Sequence, residues 1–276
     1  MHSKSRRAGL LGTLAVVVLT LAASSLPASA GDYREEFHKS YPMSADGRVS
    51  LKNINGGVTV TAWDKNEVQV DAVKTADSQS KLAEAKIEVT AGSSAIDIRT
   101  HYPDGNNNNP ASVEYTLHVP RKARLDKIDI VNGRIKIDGV EGAIRAASVN
   151  GAVEASHVGG EVSLSSVNGR VLAEMQSPKR PVSLETVNGS VEMSLPSDAV
   201  AEINASTVHG GISNEFNIPV NRERWVGSEL RAKLGEGGPA VKLSAVNGGI
   251  QIHRASDGKP LSKVTNLLPE DKSRYY

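Results

Sequence analysis

Apolar and polar residues alternate along the second half of this chain in a unit that repeats every nine residues. Valine recurs at the first position, glycine at the third, and valine or isoleucine at the fifth, as in Val149, Gly151 and Val153. Polar residues such as Glu154 separate the apolar ones, which is the period-two pattern of strands with one buried face. The repeat therefore predicts an all-β domain in which the first and fifth positions are buried.

Every second unit carries an Asn-Gly pair, so the structural period is a pair of short strands. Both residues tolerate positive φ values, which allows a tight turn between two strands. The spacing predicts structural turns at Asn132 and Gly133, Asn150 and Gly151, Asn168 and Gly169, Asn188 and Gly189, and Asn247 and Gly248. His209 occupies the asparagine position of one further unit.

Two architectures fit this spacing. One is a parallel β-solenoid of short strands, in which each asparagine stacks on the asparagine of the next coil. The other is an antiparallel β-meander, whose turns at one edge also recur at every second strand. Near-identical side chains at each level favour stacking, and hence the solenoid.

The chain divides into four segments by composition and pattern. Residues 31–125 form a β-rich segment that carries one early copy of the repeat and a hairpin turn at Trp63 to Asn66. Residues 126–254 hold the main repeat, and the polar residues 255–276 form a tail.

The first 30 residues have the pattern of a signal peptide. Basic residues precede an apolar run from Leu10 to about Ala23, and Ala28 and Ala30 form a small-x-small cleavage site. The run is shorter than the roughly 20 residues that a membrane span needs. We therefore expect an exported protein in the periplasm, at the cell surface or outside the cell, with no transmembrane segment after cleavage.

Composition limits the classes of partner and the kinds of catalytic or metal site that are expected. Three of the 32 lysines and arginines and none of the 31 acidic residues lie in the signal segment, so the mature chain has 29 against 31 and a net charge of −2. A nucleic-acid partner needs a basic face and is not expected. The chain contains no cysteine, which excludes disulfides and thiol catalysis. Its seven histidines show no metal-ligand spacing, so no metal or cofactor is predicted.

No catalytic motif stands out. The chain lacks a Gly-x-Ser-x-Gly nucleophile motif and a phosphate loop. Glu154 and Glu192 occupy the same position of two Asn-Gly units and are the one candidate pair of carboxylates for glycoside hydrolysis. A solvated strand face is the favoured explanation, and aromatic platforms for sugars are scarce, since Trp63 and Trp225 are the only tryptophans. The sequence therefore indicates a protein that is not an enzyme.

The chain resembles the bacterial "putative adhesin" family of domains of unknown function. The recurrent Val-Asn-Gly-x-Val blocks carry this resemblance, together with Gly-Gly-Val-Thr-Val-Thr-Ala-Trp-Asp at 56–64 and Leu-His-Val-Pro at 117–120. The resemblance covers most of residues 44–252 and implies an exported, β-solenoid-like domain, often linked to envelope stress. It supplies no catalytic residues. Residues 215–236 interrupt the repeat and depart from the family pattern.

Three functions remain open. The first is a non-catalytic envelope module that binds an envelope protein or cell-surface polymer, or acts as a scaffold. The alternatives are a polysaccharide-active enzyme on a β-solenoid and a sensor or accessory protein of an envelope-stress system. Three long joints follow Asn-Gly or His-Gly units, so we expect them on one edge, with residues 215–236 as a removable insertion. The candidate partner-binding residues there are Arg222, Arg224, Trp225, Lys179 and Arg180.

Overall fold

A computed structural model describes residues 33–102, 111–223 and 227–268 of the chain. In chain order the elements are β1 (Tyr33–Pro42), β2 (Arg48–Asn55), β3 (Val58–Trp63), β4 (Glu67–Ala76), α1 (Gln79–Glu84), β5 (Lys86–Ala91), β6 (Ala95–His101), β7 (Ser112–Pro120), β8 (Arg124–Asn132), β9 (Ile135–Asp138), β10 (Ile144–Asn150), β11 (Val153–Val158), β12 (Val162–Asn168), β13 (Val171–Met175), β14 (Val182–Asn188), β15 (Val191–Leu195), β16 (Ala201–His209), β17 (Ile212–Asn214), β18 (Asn221–Glu223), β19 (Gly227–Leu234), β20 (Ala240–Asn247), β21 (Ile250–Arg254) and β22 (Val264–Asn266). Within these ranges, no helix is long and apolar enough to cross a bilayer.

The strands form two sheets joined coil by coil. Sheet 1 has ten strands in the order β1-β4-β7-β3-β9-β11-β13-β15-β21-β17. Sheet 2 has twelve, in the order β18-β19-β16-β20-β14-β12-β10-β8-β2-β6-β5, with β22 also paired to β19. Each Asn-Gly turn joins a strand of sheet 2 to the following strand in sheet 1, and strands of successive coils run parallel, as β10 and β12 do. The predicted β-solenoid is confirmed, and the meander is wrong.

The stacking order departs from the chain order at both ends. Strands β20 and β21 lie between the coil of β14 and β15 and the coil of β16 and β17, although they come after both in the chain. At the other end, β2 and β3 lie between the coil of β6 and β7 and the coil of β8 and β9. At the C-terminal end the chain therefore passes over one level and returns to fill it. At the N-terminal end it fills the inner level first, adds the outer coil and then continues at β8 and β9.

Antiparallel strands close the ends of the stack. Strand β4 pairs antiparallel with β7 and with β1, and β19 pairs antiparallel with β16. The predicted hairpin at Trp63 to Asn66 is wrong, because β7 lies between β3 and β4 in sheet 1. The turn instead carries the chain across the end of β7.

The core lies between the two sheets and contains the fifth position of the repeat. Ile144, Val153 and Val162 are fully buried, as are their equivalents in other coils. The first position splits into two kinds, which corrects the prediction that all of it is buried. Val140 and Val158 are buried, whereas the first positions of the Asn-Gly units are exposed. In an Asn-Gly unit the first position is the last outward-facing residue of the preceding sheet 2 strand, so alternation turns it to solvent.

Candidate functional site: an aliphatic ladder on the outer face of sheet 2

Seven exposed aliphatic side chains form a continuous row across sheet 2, one from each of seven stacked coils. They have relative exposures of 37–50 %. Strand pairing places them side by side. In stacking order this aliphatic ladder is Ile54, Val131, Val149, Val167, Val187, Val246 and Val208. Six spacings of about 4.8 Å make it about 29 Å long.

A groove of about 660 Å³ runs along the ladder. The ladder forms one side, and the small residues Ala147 and Ser165 of the adjacent outward-facing row form its middle. Asp129 and Glu185 flank these two in the same row. A second groove of about 290 Å³ continues past Val208. The outer face of sheet 2 therefore presents a long apolar strip with polar borders.

Lysines already neutralise the two carboxylates beside the groove. Lys127 Nζ lies 3.4 Å from Asp129 Oδ2, and Lys242 Nζ lies 2.7 Å from Glu185 Oε1. The hydrogen bond from Lys242 lowers the pKa of Glu185 and so favours its ionised form. Both lysines belong to the row farther from the ladder.

An asparagine ladder borders the aliphatic ladder on its other side. Each Asn Nδ2 donates to the Oδ1 of the asparagine in the coil before it, at 2.8–2.9 Å. The ladder consists of Asn55, Asn132, Asn150, Asn168, Asn188 and Asn247, and His209 pairs with Asn247 at its end. Each bond uses one amide hydrogen and one lone pair, which leaves every inner asparagine a second donor and acceptor toward solvent.

The glycines after these asparagines stack backbone against backbone. A Cβ atom on Gly151 would lie 1.7 Å from the carbonyl oxygen of Gly133, and the φ of Gly151 is +154°. Gly169 lacks a left-handed φ, yet its Cβ would lie 2.1 Å from the Gly151 oxygen. Buried hydroxyls fill the remaining space, since Ser166 Oγ donates to the same oxygen at 2.9 Å. Close coil stacking therefore requires glycine even where the turn conformation does not.

Glu154 and Glu192, the candidate carboxylate pair, lie on sheet 1 and form ion pairs. Arg170 Nη2 lies 2.8 Å from Glu154 Oε1, and Arg170 Nη1 lies 3.5 Å from Glu192 Oε2. Leu172 occupies the strand position between the two glutamates. Both carboxylates are therefore engaged by one guanidinium, which leaves no space between them for a glycosidic bond.

The candidate partner-binding residues do not converge. Lys179 and Arg180 are exposed just before β14, whereas Arg222 is exposed on β18 and pairs with Ser228. Ser228 lies opposite Thr207, near the far end of the sheet 2 strands. Arg224 and Trp225 lie outside the described residues, as do Ala28 and Ala30 at the predicted cleavage site.

Residues 215–236 are part of the fold and not a removable insertion. Strand β19 pairs with β16 over seven positions, and its Leu230, Ala232 and Leu234 are buried. Phe216 and Ile218, which precede it, are buried as well. The stretch caps sheet 2, so its deletion would expose the core.

The described histidines occupy the surface. His157 has a φ of 54° and its Nδ1 lies 2.8 Å from Asp138 Oδ1, a hydrogen bond that raises the pKa of the imidazole. Among the described residues, no group of three or more His, Cys, Asp or Glu side chains is arranged to hold a metal ion.

A model of the Toastrack DUF4097 family matches residues 36–253. The chain belongs to this family. The match spans both the early β-rich segment and the repeat, which confirms the resemblance drawn from the Val-Asn-Gly blocks. A search of curated proteins finds no significant match to this Toastrack chain.

The solved structures that this chain resembles are distant from it in sequence. A "putative cell adhesion protein" from Clostridium sporogenes is 16% identical, with a TM-score of 0.43, over 81% of this chain and 100% of that one. A "putative adhesin" from Bacteroides fragilis is 12% identical, with a TM-score of 0.37, over 80% and 97%. A "putative lipid binding protein" from Parabacteroides distasonis is 10% identical, with a TM-score of 0.33, over the same shares. The functional argument therefore depends on the residues of this chain.

Proposed function

We propose that this Toastrack protein is an exported, non-catalytic module of the bacterial cell envelope that binds a partner or acts as a scaffold through the outer face of sheet 2. The observation that supports this is the aliphatic ladder. Its side chains contribute little to the core, because each is more than one third exposed. Monomeric proteins rarely expose a contiguous apolar row of this length, and such patches commonly mark interaction sites.

The outer face of sheet 1 provides a contrast within the same coils. Its outward-facing row carries Lys136, Glu154 and Glu192, with Leu172 between the two glutamates. Arg134 and Arg170 form ion pairs with these glutamates. A β-solenoid does not require an apolar outer row, so the ladder is a property of sheet 2 alone. On both sheets the carboxylates are paired with arginine or lysine. This favours binding over hydrolysis as the role of the protein.

The test measures binding of the mature chain to three named preparations: purified peptidoglycan sacculi, phosphatidylethanolamine–phosphatidylglycerol vesicles, and a second sample of the chain itself. Val149→Asp alters the middle of the ladder at an exposed position, so the fold should persist. Glu174→Lys alters the outer face of sheet 1 and serves as the matched control. We expect Val149→Asp to weaken the binding at least tenfold and Glu174→Lys to leave it unchanged. Equal binding by both variants to every preparation would contradict the proposal.

A further inference from the structure

We infer that the mature chain forms an antiparallel homodimer through the free edge of β1, which joins sheet 1 of one copy to sheet 1 of a second copy. This inference concerns a surface other than the outer face of sheet 2, so it goes beyond the proposed function and does not depend on it. It follows from the outward backbone groups of β1, the aromatic residues on its inner face and the order of its charges.

Strand β1 is a long edge strand with an accessible backbone. It lies at the end of sheet 1, pairs only with β4, and eight of its ten residues are exposed. In continuation of this pairing, Met43 N–H donates to the Asn66 carbonyl, so the odd-numbered residues of β1 direct their backbone groups toward β4. The groups of the even-numbered residues point outward, and no described residue forms a backbone hydrogen bond with them. These residues are Arg34, Glu36, His38 and Ser40.

The inner face of β1 carries aromatic side chains that one copy covers only in part. Tyr33, Phe37 and Tyr41 face the core side of sheet 1, because the residues opposite them in β4 are buried. Phe37 and Tyr41 are partly buried, and Tyr33 is 47% exposed. Aromatic residues make up 4% of the whole chain, yet three of the ten residues of β1 are aromatic. A second strand beside β1 would cover these rings, and aromatic cross-strand pairs stabilise sheets.

Backbone geometry and charge select one pairing register between two β1 strands. Even-numbered residues must face each other, because only their backbone groups are free, so the register can shift only in steps of two residues. With Phe37 on the two-fold axis, Glu35 faces Lys39 of the second copy. Glu36 faces His38 in the same way, and no two like charges face each other. An axis at Glu36 would instead set two carboxylates against each other, and an axis at His38 would set two imidazoles against each other.

The selected register engages all of the outward backbone groups. Residue 34 pairs with residue 40 and residue 36 with residue 38, and each of these pairs exchanges two backbone hydrogen bonds. A two-fold axis perpendicular to sheet 1 keeps the inner faces of both copies on the same side. Phe37 therefore lies beside Phe37 of the second copy, and Tyr33 beside Tyr41. The opposite edge of sheet 1, β17, has only three residues and is too short for a comparable pairing.

Sedimentation of the mature chain from about 1 µM to about 500 µM tests the association. One pair of strands buries less than the roughly 800 Å² per partner of a standard interface, so we expect a dissociation constant on the order of tens of micromolar. The apparent mass should approach twice the monomer mass as the concentration rises. A parent chain that stays monomeric throughout would overturn the inference.

A proline at an outward position tests the use of the backbone edge. Glu36→Pro removes an N–H that the monomer does not use, so the variant should fold but remain monomeric. Ala91→Pro is the matched control at the edge of sheet 2. Gly92 N–H bonds across the β5 and β6 pair, so the N–H of Ala91 also points outward, and this variant should dimerise like the parent. Dimerisation of Glu36→Pro with the parent's affinity would contradict the inference.

A charge reversal tests the register without a change in the backbone. Lys39→Glu sets a second carboxylate against Glu35 at both symmetric positions, so it should weaken dimerisation at least tenfold. Lys39 is exposed, so the fold should persist. Dimerisation as tight as that of the parent would show that these residues do not face each other.

Single cysteines test the antiparallel pairing, because the chain contains none of its own. Facing residues in pairs without backbone hydrogen bonds have Cα atoms about 4.5 Å apart, which permits a disulfide. At a concentration at which the parent dimerises, Phe37→Cys should oxidise to a disulfide-linked dimer. Tyr33→Cys should not link to itself, but it should link to Tyr41→Cys when the two variants are mixed. Self-linking of Tyr33→Cys, or no link at Phe37→Cys, would overturn this register.

This inference and the proposed function can fail separately. Self-association that is lost in Glu36→Pro but unchanged in Val149→Asp involves β1 and not the aliphatic ladder. If the parent is monomeric but Val149→Asp still loses binding to sacculi or vesicles, the dimer is wrong and the binding face on sheet 2 stands.

Discussion

Replacement of Gly151 by alanine tests whether the coils stack through a column of glycine backbones. The added Cβ would lie 1.7 Å from the carbonyl oxygen of Gly133, which no side-chain rotation can relieve because both atoms belong to backbone geometry. The two coils must therefore separate locally. The φ of +154° at Gly151 is an additional cost for any residue with a Cβ.

The size of the effect follows from these contacts. A non-glycine residue in a sparsely populated backbone conformation costs roughly 1–3 kcal/mol. Separation of the coils also weakens the hydrogen bonds from Gly133 N–H to the Asn150 carbonyl and from Ser148 Oγ to the Gly133 carbonyl, at roughly 1 kcal/mol each. Alanine returns about 0.4–1 kcal/mol by restricting the unfolded chain. The net loss in the free energy of unfolding is about 2–4 kcal/mol.

Thermal unfolding of the mature chain, followed by far-UV circular dichroism, measures this loss. For a chain of this size each kcal/mol corresponds to roughly 2–4 °C, so the Tm should fall by about 4–16 °C. Gly211→Ala is the matched control, because it lies in the equivalent turn of the terminal coil and its Cβ would meet no atom within 4 Å. A Gly151→Ala chain that melts within about 2 °C of both the parent and the control would refute the stacking argument.

Three further predictions concern the core, the asparagine ladder and the C-terminal segment. Val153→Asp places a charge at a fully buried position and should destabilise the protein by roughly 3–5 kcal/mol, measured by urea unfolding; a parent-like midpoint would contradict the burial. Asn168→Ala removes two ladder hydrogen bonds and Asn55→Ala removes one, so the first should lower the Tm about twice as much. The hydroxyl and backbone N–H of Ser197 lower the pKa of Asp257 to about 2, so its stabilising effect is present above the ordinary pKa and is lost as pH falls toward 2. The Tm difference between the parent and Asp257→Asn should therefore be constant above about pH 5 and vanish near pH 2, and a difference that persists at pH 2 would refute this assignment.

The sequence could predict the solenoid because side chains that contact each other in successive coils recur at a fixed spacing. Val153 and Val171 pair in register, as do Asn150 and Asn168, and the 18-residue period with near-identical side chains at each repeat favours this stacking. It could not predict the stacking order of the last coils. The units at Val191, Ile212 and Ile250 carry the same pattern, so the coil contacts are equivalent in any order.

The nine-residue pattern does not predict the aliphatic ladder, because hydrophobicity alone does not distinguish a buried first position from an exposed one. Val140 and Val149 are the same residue at the same position of the nine-residue unit, yet one is buried and the other exposed. The alternation of inward-facing and outward-facing residues within the strand does distinguish the two positions. Ile144, Ala146 and Ser148 alternate as buried residues, so Val149 must face outward. The buried serine, which donates to the carbonyl of Gly133, is the polar residue that obscured this alternation.

The central claim is that a partner covers the outer face of sheet 2 in the cell envelope. Its most direct test compares the rates at which a maleimide labels Val167→Cys and Glu174→Cys, which lie on opposite sheets of the same coil. The rates are measured in isolated envelopes and in dilute purified protein. We predict that Val167→Cys is labelled several-fold more slowly in envelopes than in dilute solution, while Glu174→Cys is labelled at the same rate in both. The claim would be contradicted if labelling in envelopes were slowed equally at both positions, or slowed at neither.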